Sequence, residues 1–245
     1  MSVERSSSSE LPQETCDLIA LTEIRATIYR FLAQQLLEPP PTDPLKLAVI
    51  RDAWSELSEF VSEELAATIE AALAPDAESL ERLRHGFDVQ LRIPGSQCLF
   101  ATESAHLAGA VDETGGWTPG RARGPAWQRV ADTYALAGWT FDHERGVEAD
   151  HLGAELAFCG ALCASEAEAW RRGDASGARA SGRALSAFIE HHPLRWIRRV
   201  EERADAIKAV GYPTAVTRAA ERWLRLERRH LTQRVMEHDA AIATC

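Results

Sequence analysis

No apolar run in this sequence reaches the roughly 18 residues a membrane span needs, so no stable membrane insertion is expected. Cysteine is scarce: Cys16, Cys98, Cys159, Cys163 and Cys245 make five, an odd number, and no C-x-x-C occurs. That argues against a disulfide framework and for a reducing cytoplasmic setting. The phosphate-cradling G-x-x-x-x-G-K-[ST] loop and the G-x-S-x-G nucleophile turn are both missing. The opening "MSVERSSSSELPQE" lacks the apolar stretch of a signal peptide and reads as a disordered tail over 1–16. Positive charge is also short. The formal net charge is −10; residues 1–120 carry 8 Lys+Arg against 20 Asp+Glu, a balance of −12, and residues 121–245 carry 19 against 17, a balance of +2. An acidic chain repels phosphate, so nucleic acid is not an expected partner, whereas a basic peptide is a compatible one.

What is present suits a globular core: 45% of residues are hydrophobic and 26% charged. Apolar residues recur at helical spacing almost throughout. Leu21, Ile24, Ile28, Phe31 and Leu32 share one helical face, and "EPPP" at 38–41 ends that helix. Further helices are expected over about 45–60, 63–74, 76–86, 126–138, 148–170 and 178–190. Another carries Ile197, Val200 and Ala204, and a last one covers 214–238. Between 92 and 123 the Gly, Pro, Ser and Thr content predicts loops around a short helix near 106–111. No alternation of strands and helices appears. The expected fold is therefore all-α, a bundle of about ten helices in two subdomains, 17–137 and 151–245, joined by a hinge loop at 138–150.

The most informative stretch is "GVEADHLGAELAFCGALC", residues 146–163. His151, Glu155, Phe158, Cys159 and Leu162 share a broad helical face. Cysteines at that spacing behave as small core hydrophobes. His151 and Glu155 can supply two metal ligands, yet H-x-x-x-E is neither the H-E-x-x-H of zinc proteases nor the paired E-x-x-H of di-iron bundles. Glu148, Asp150 and His151 stand where the helix begins, where acidic groups cap free amides and the terminal field disfavours a protonated imidazole. They read either as plain caps or as a polar hinge presented to a ligand. Cys98 paired with a distant histidine has no local support as a nucleophile. The arginines from Arg218 to Arg234, interleaved with Glu221, Glu227 and Glu237, read as a solvated face.

Three separated segments carry a family resemblance. "EADHLGAEL" at 148–156 resembles the E-P-x-D-H-x-x-x-E-L signature of the TorD-like redox-enzyme maturation chaperones, the group of TorD, DmsD and NarJ proteins. "FIEHHPLRW" at 188–196 is similar to that family's F-x-x-H-L-x-x-W segment through Phe188, His192 and Trp196. "GYPTAVTRAAERWL" at 211–224 resembles its late aromatic stretch, with Tyr212 in place. In "CLFATESAH" Ser104 fits the end of its upstream loop. The resemblance spans residues 20–231. Ala149 replaces a usual proline, Pro193 stands where leucine is common, and Arg195 where proline often is.

The resemblance implies a helical, non-catalytic protein without a cofactor or metal of its own, monomeric or a domain-swapped dimer. Its partners would be the apo form of a molybdenum oxidoreductase catalytic subunit and that subunit's N-terminal leader, often of twin-arginine type. The residues implied for peptide binding are Glu148, Asp150, His151, Glu155, His192, Trp196, Tyr212 and Ser104. Carboxylates would meet guanidinium groups, and Trp196, Leu152 and Tyr212 would form an apolar wall. The competing readings are a metal-dependent helical-bundle enzyme using His151 and Glu155, and a purely structural adaptor.

Overall fold

A computed structural model describes residues 11–57, 61–74, 76–141 and 146–243, with side chains as far as Arg234. Residues 1–10 of the expected tail, 142–145 of the expected hinge, the expected helix end at 58–60, and the side chain of Glu237 lie outside the described residues. The order is α1 (Gln13–Leu37), α2 (Pro44–Glu56), α3 (Glu63–Ala72), α4 (Ala77–Phe87), a π-helical turn (Asp88–Arg92), α5 (Glu103–Leu107), β1 (Ala110–Val111), β2 (Trp117–Thr118), α6 (Pro125–Leu136), α7 (Leu152–Arg171), α8 (Ala175–His191), α9 (Pro193–Ala206) and α10 (Tyr212–Ala243). This is an all-helical bundle of about ten helices, with a bend between two helix groups.

Proline sets several starts. Pro44, Pro125 and Pro193 occupy first-turn positions, where the missing amide proton is no loss. Asp43, Ser62, Asp76 and Asp174 each accept a backbone N–H of the helix that follows them. Two boundaries differ from the sequence expectation. Helix α1 begins at Gln13, so residues 13–16 are helical rather than tail. The short helix expected near 106–111 lies at Glu103–Leu107. It is followed by a small antiparallel hairpin whose turn is closed by Asp112 Oδ1, the acceptor of Thr114 N–H and Gly116 N–H, both at 2.8 Å.

The spine is an antiparallel pair, α1 on α7. Two glycines permit its close approach. A Cβ on Gly153 would fall 2.6 Å from Leu37 Cγ, and one on Gly160 would fall 3.3 Å from Ala26 O. Helix α8 folds back on α7, α9 on α8, and α10 crosses α1, α3, α8 and α9. The core runs through Tyr29 and Leu32 of α1, Leu156 and Cys159 of α7, Ile189 of α8, Ile197 of α9 and Val216 of α10, all buried. Cys159 and Cys163 are completely buried, as a core stripe requires. Helices α2–α4 form a smaller group that leans on α10. No helix among the described residues is long and apolar enough to cross a membrane.

A polar group sequence spacing did not reveal clamps the spine. Arg25 of α1 is 2% exposed and meets Glu227 of α10 (Nε–Oε1 2.7 Å) and Glu166 of α7 (Nη1–Oε2 3.3 Å). Arg234 reaches the other oxygen of Glu166 at 2.9 Å. Burial, the largest single influence, opposes the charge on Arg25, but the charge and hydrogen bond of Glu227 together with Cys163 and Glu166 outweigh it and raise the guanidinium above its ordinary value. Glu227 and Glu221 are therefore not part of a solvated face: they are 2% and 7% exposed. Helical interleaving with arginines gives no sign of which acids turn inward.

Candidate functional site

Two short extended stretches meet at the centre of the molecule. Thr102 bridges His151 in antiparallel sense, Glu103 N–H donates to Asp150 O at 2.9 Å, and Leu152 N–H donates to Ala101 O at 2.8 Å. This pairing brings the start of α5 against the start of α7, 49 residues later. Each start is capped by a motif residue. Asp150 Oδ2 accepts Ser104 N–H at 2.7 Å, so Asp150 caps α5. His151 Nδ1 accepts Gly153 N–H at 3.1 Å, so His151 caps α7. An accepting Nδ1 means a neutral ring with its proton on Nε2. Burial pushes the His151 imidazole down to about 4 and keeps it neutral.

Glu103 joins this junction to the break between α8 and α9. Its carboxylate, fully buried, accepts from His192 Nδ1 at 2.9 Å, and Arg129 Nη2 of α6 stands 3.7 Å from its other oxygen. Glu155, one turn into α7, accepts Trp196 Nε1–H of α9 at 3.1 Å. Burial drives the Glu155 carboxyl well above the usual carboxylate range, helped by the charges of Glu103 and Asp150, and Glu155 hydrogen-bonds to Glu103. A protonated Glu155 has an O–H to give. Oε1 of Glu103 and Oε1 of Glu155 are both buried, and neither has an N–H or hydroxyl donor within hydrogen-bond distance. That O–H can serve the hydrogen bond between the two carboxyl groups.

Aromatic and cationic groups brace the same place. His106, pushed down to about 4 by burial, stacks between Trp117 (5.3 Å) and Trp196 (5.7 Å). Arg199 and Arg203 of α9 donate to the carbonyls of His106 and Cys98, each at 2.6 Å, and Arg203 lies 4.4 Å over the Trp117 ring. Tyr134 of α6 donates to Ala149 O at 3.0 Å. A cleft of about 420 Å³, lined by Ser104, Arg121, Arg123 and Gln128 among others, opens beside the network.

The structure thus draws six of the eight sequence-predicted residues into one network or its immediate border: Ser104, Asp150, His151, Glu155, His192 and Trp196. Glu148 stands at the rim, paired with Arg123 at 3.0 Å. Tyr212 is elsewhere. Its hydroxyl donates to Gln35 Oε1 of α1 (2.7 Å) and accepts Trp54 Nε1–H of α2 (3.0 Å). One expectation is corrected in orientation: apart from Glu148, all of these side chains face inward and are at most 8% exposed, rather than being presented at an open groove. The reason is local: the 101–103 and 150–152 stretches pair over them, and α9 closes the remaining side. Glu103 was missed, although it is the most connected member. Its only sequence signal was its place next to Ser104 in the "ATESAH" loop.

His151 and Glu155 do not converge as ligands. The Nδ1 lone pair of one serves a backbone N–H, and an oxygen of the other serves Trp196. Among the described residues, no three of His, Cys, Asp and Glu are grouped to hold a metal ion. The arrangement ties α5, α6, α7 and the α8–α9 break through hydrogen bonds and an ion pair. Fold and junction together define an all-helical protein organised around a buried polar joint. Residues 50–202, well over half the chain, match the family model described as nitrate reductase delta subunit, and the chain belongs to that family, one of the TorD/DmsD/NarJ redox-enzyme maturation chaperones. Its role is accordingly that of a maturation chaperone for a molybdoenzyme client and not of an enzyme. No curated protein and no solved structure matches the chain.

Proposed function

We propose that the protein is a cytoplasmic chaperone dedicated to one molybdenum oxidoreductase of the dimethyl-sulfoxide-reductase type. It binds the leader peptide, the apo catalytic subunit, or both, and assists folding and molybdopterin insertion before assembly or twin-arginine export. The observation that carries this reading is the convergence of Ser104, Asp150, Glu155, His192 and Trp196, drawn from three motif segments, on Glu103 and its neighbours. A joint of that kind holds two parts of a chain in one arrangement and lets them part together. Our reading gives these residues the task of setting the hinge at 138–150. Asp150, Glu155 and His192 would contact a cationic leader once the joint opens, Glu148 would contact it from the rim, and Tyr212 would align α10 with α1 and α2 from within. The acidic N-terminal half favours a basic leader as partner.

The test is co-purification of the tagged full chain from its native host under anaerobic conditions, with mass spectrometry of what is retained. The expected outcome is a molybdoenzyme catalytic subunit lacking its molybdopterin and retaining its leader. Recovery of no molybdoenzyme subunit overturns the reading.

A further inference from the structure

A second opening, about 530 Å³, lies between α1 and α2, on an edge of the molecule that the buried joint does not use. Ile24, Ile28 and Phe31 of α1, Ala53 of α2 and Leu57 just past the end of α2 wall it. Its floor is packed: Phe31 meets Trp54 edge to face at 5.0 Å. Residues 20–31 of α1 span about 16 Å, three helical turns. The apolar surface continues beyond the groove. Leu45, Val49 and Ala53 recur every four residues on α2, and Leu21 and Ile24 lie on the matching face of α1. Leu21, Ile24, Leu45 and Val49 are 39%, 57%, 77% and 67% exposed, four of the nine exposed large apolar side chains among the described residues. Such a concentration on one pair of helices is more than scattered surface hydrophobicity.

Charge selects the occupant. The ionisable side chains lining the groove are Glu23 and Glu56. Glu23 is engaged by Arg171. Glu56 is exposed and forms no ion pair among the described residues, and Asp52, one turn earlier on α2, is exposed as well. A second copy of this chain would bring acidic rim to acidic rim across a two-fold contact, which is unfavourable. An anionic bilayer would be repelled in the same way. A helix with an apolar stripe flanked by Lys or Arg fits both the apolar walls and the rim.

We infer that the α1–α2 groove is a docking site for a short amphipathic helix carrying cationic residues beside its apolar stripe. This deepens the maturation reading and rests on it in one respect: the helix is supplied by the client's leader.

The experiment titrates the full chain with a designed, fluorescein-labelled peptide of about 16 residues, long enough to cover the groove. It has a Leu/Ala stripe flanked by arginines, and a twin carries glutamates in their place. The arginine peptide binds and the glutamate twin is weaker by about tenfold or more. Ile24→Asp weakens the arginine peptide by about tenfold or more. Glu56→Lys narrows or reverses the preference between the twins. Both substitutions are at exposed positions, so thermal melting stays at the wild-type value. Equal affinity of folded Ile24→Asp and wild type overturns the inference. So does a wild-type dimer in sedimentation that Ile24→Asp dissolves, because a second copy would then own the groove. Co-purification separates the two levels. If wild type and Ile24→Asp capture the molybdoenzyme subunit equally, leader docking in the groove fails and the maturation reading stands. If wild type captures none, the maturation reading fails and the peptide titration alone decides the groove.

Discussion

His151 shows how much one side chain can carry when its chemistry matches its place. Sequence position put it at a helix start after a polar loop, readable as a plain cap or as part of a polar hinge presented to a ligand. The structure shows it capping α7 and gives the cause of its neutrality, which is burial more than the field of the helix end. A consequence follows for acid stability. The unfolded imidazole titrates near 6.5, and in the folded chain His151 and His106 are held at about 4. Each pKa is lowered on folding, so the unfolded state binds the extra proton first. The stability these groups contribute is present above about 6.5 and is lost as pH falls from there toward 4. At its full extent this amounts to roughly 3 kcal/mol per histidine. Calorimetric melting from pH 7 to 4 should show a steep fall. His151→Asn, which retains a good cap without a titrating ring, should flatten part of it. His151→Ala should melt lower even at pH 7, by about 1 kcal/mol for the lost cap. If the asparagine variant shows the same acid slope as wild type, His151 does not titrate in this way.

At the scale of elements, the helices were readable and their partners were not. Proline at helix starts, the acidic and serine caps and the apolar spacing place α2, α4, α6, α7 and α8 within a few residues of where they lie. Each of those signals is local. The clamp formed by Arg25, Glu166 and Glu227 joins residues 141 and 202 positions apart, and nothing in helical spacing separates a buried acid from a surface one. Glu103 was hidden for a related reason. It sits in a five-residue helix inside a loop-like stretch, and its partner His192 is 89 positions away. The motif segments named Asp150, His151, Glu155, His192 and Trp196, which the structure brings to one junction, but carried no information about which way they face. The Arg25 clamp supports a direct prediction. Arg25→Met leaves Glu227 buried without its donor and should destabilise the chain by about 3–5 kcal/mol in urea unfolding. Adding Glu227→Leu should recover much of that loss, because the charge left stranded is removed with its partner. A double variant as unstable as the single one would show that packing, rather than charge, decides the α1–α10 contact.

For the molecule as a whole, charge and shape divide the work. The first 120 residues hold the acidic excess of −12, and the apolar groove of α1 and α2 lies within them. The buried joint draws on both parts of the chain, Glu103 and Ser104 from the first 120 residues and Asp150, Glu155, His192 and Trp196 from the rest, and is sealed. A cationic peptide approaching from solution feels the acidic half before it feels any apolar wall, because Coulomb forces act over about 10 Å at 0.1 M salt while apolar contact needs touching surfaces. Steering of this kind raises association rates by roughly ten- to a thousandfold and leaves dissociation to short-range contacts. Stopped-flow mixing of the full chain with the arginine peptide should therefore give an association rate that falls by about tenfold or more between 0.01 and 1 M sodium chloride, as screening shortens the reach of the field from about 30 Å to 3 Å. The dissociation rate should change far less, since burial of an apolar stripe is insensitive to screening. Ile24→Asp should reverse that pattern, raising dissociation and sparing the salt-dependent encounter. An association rate indifferent to salt would mean that the acidic excess serves solubility alone, and that the groove finds its partner without help from the rest of the molecule.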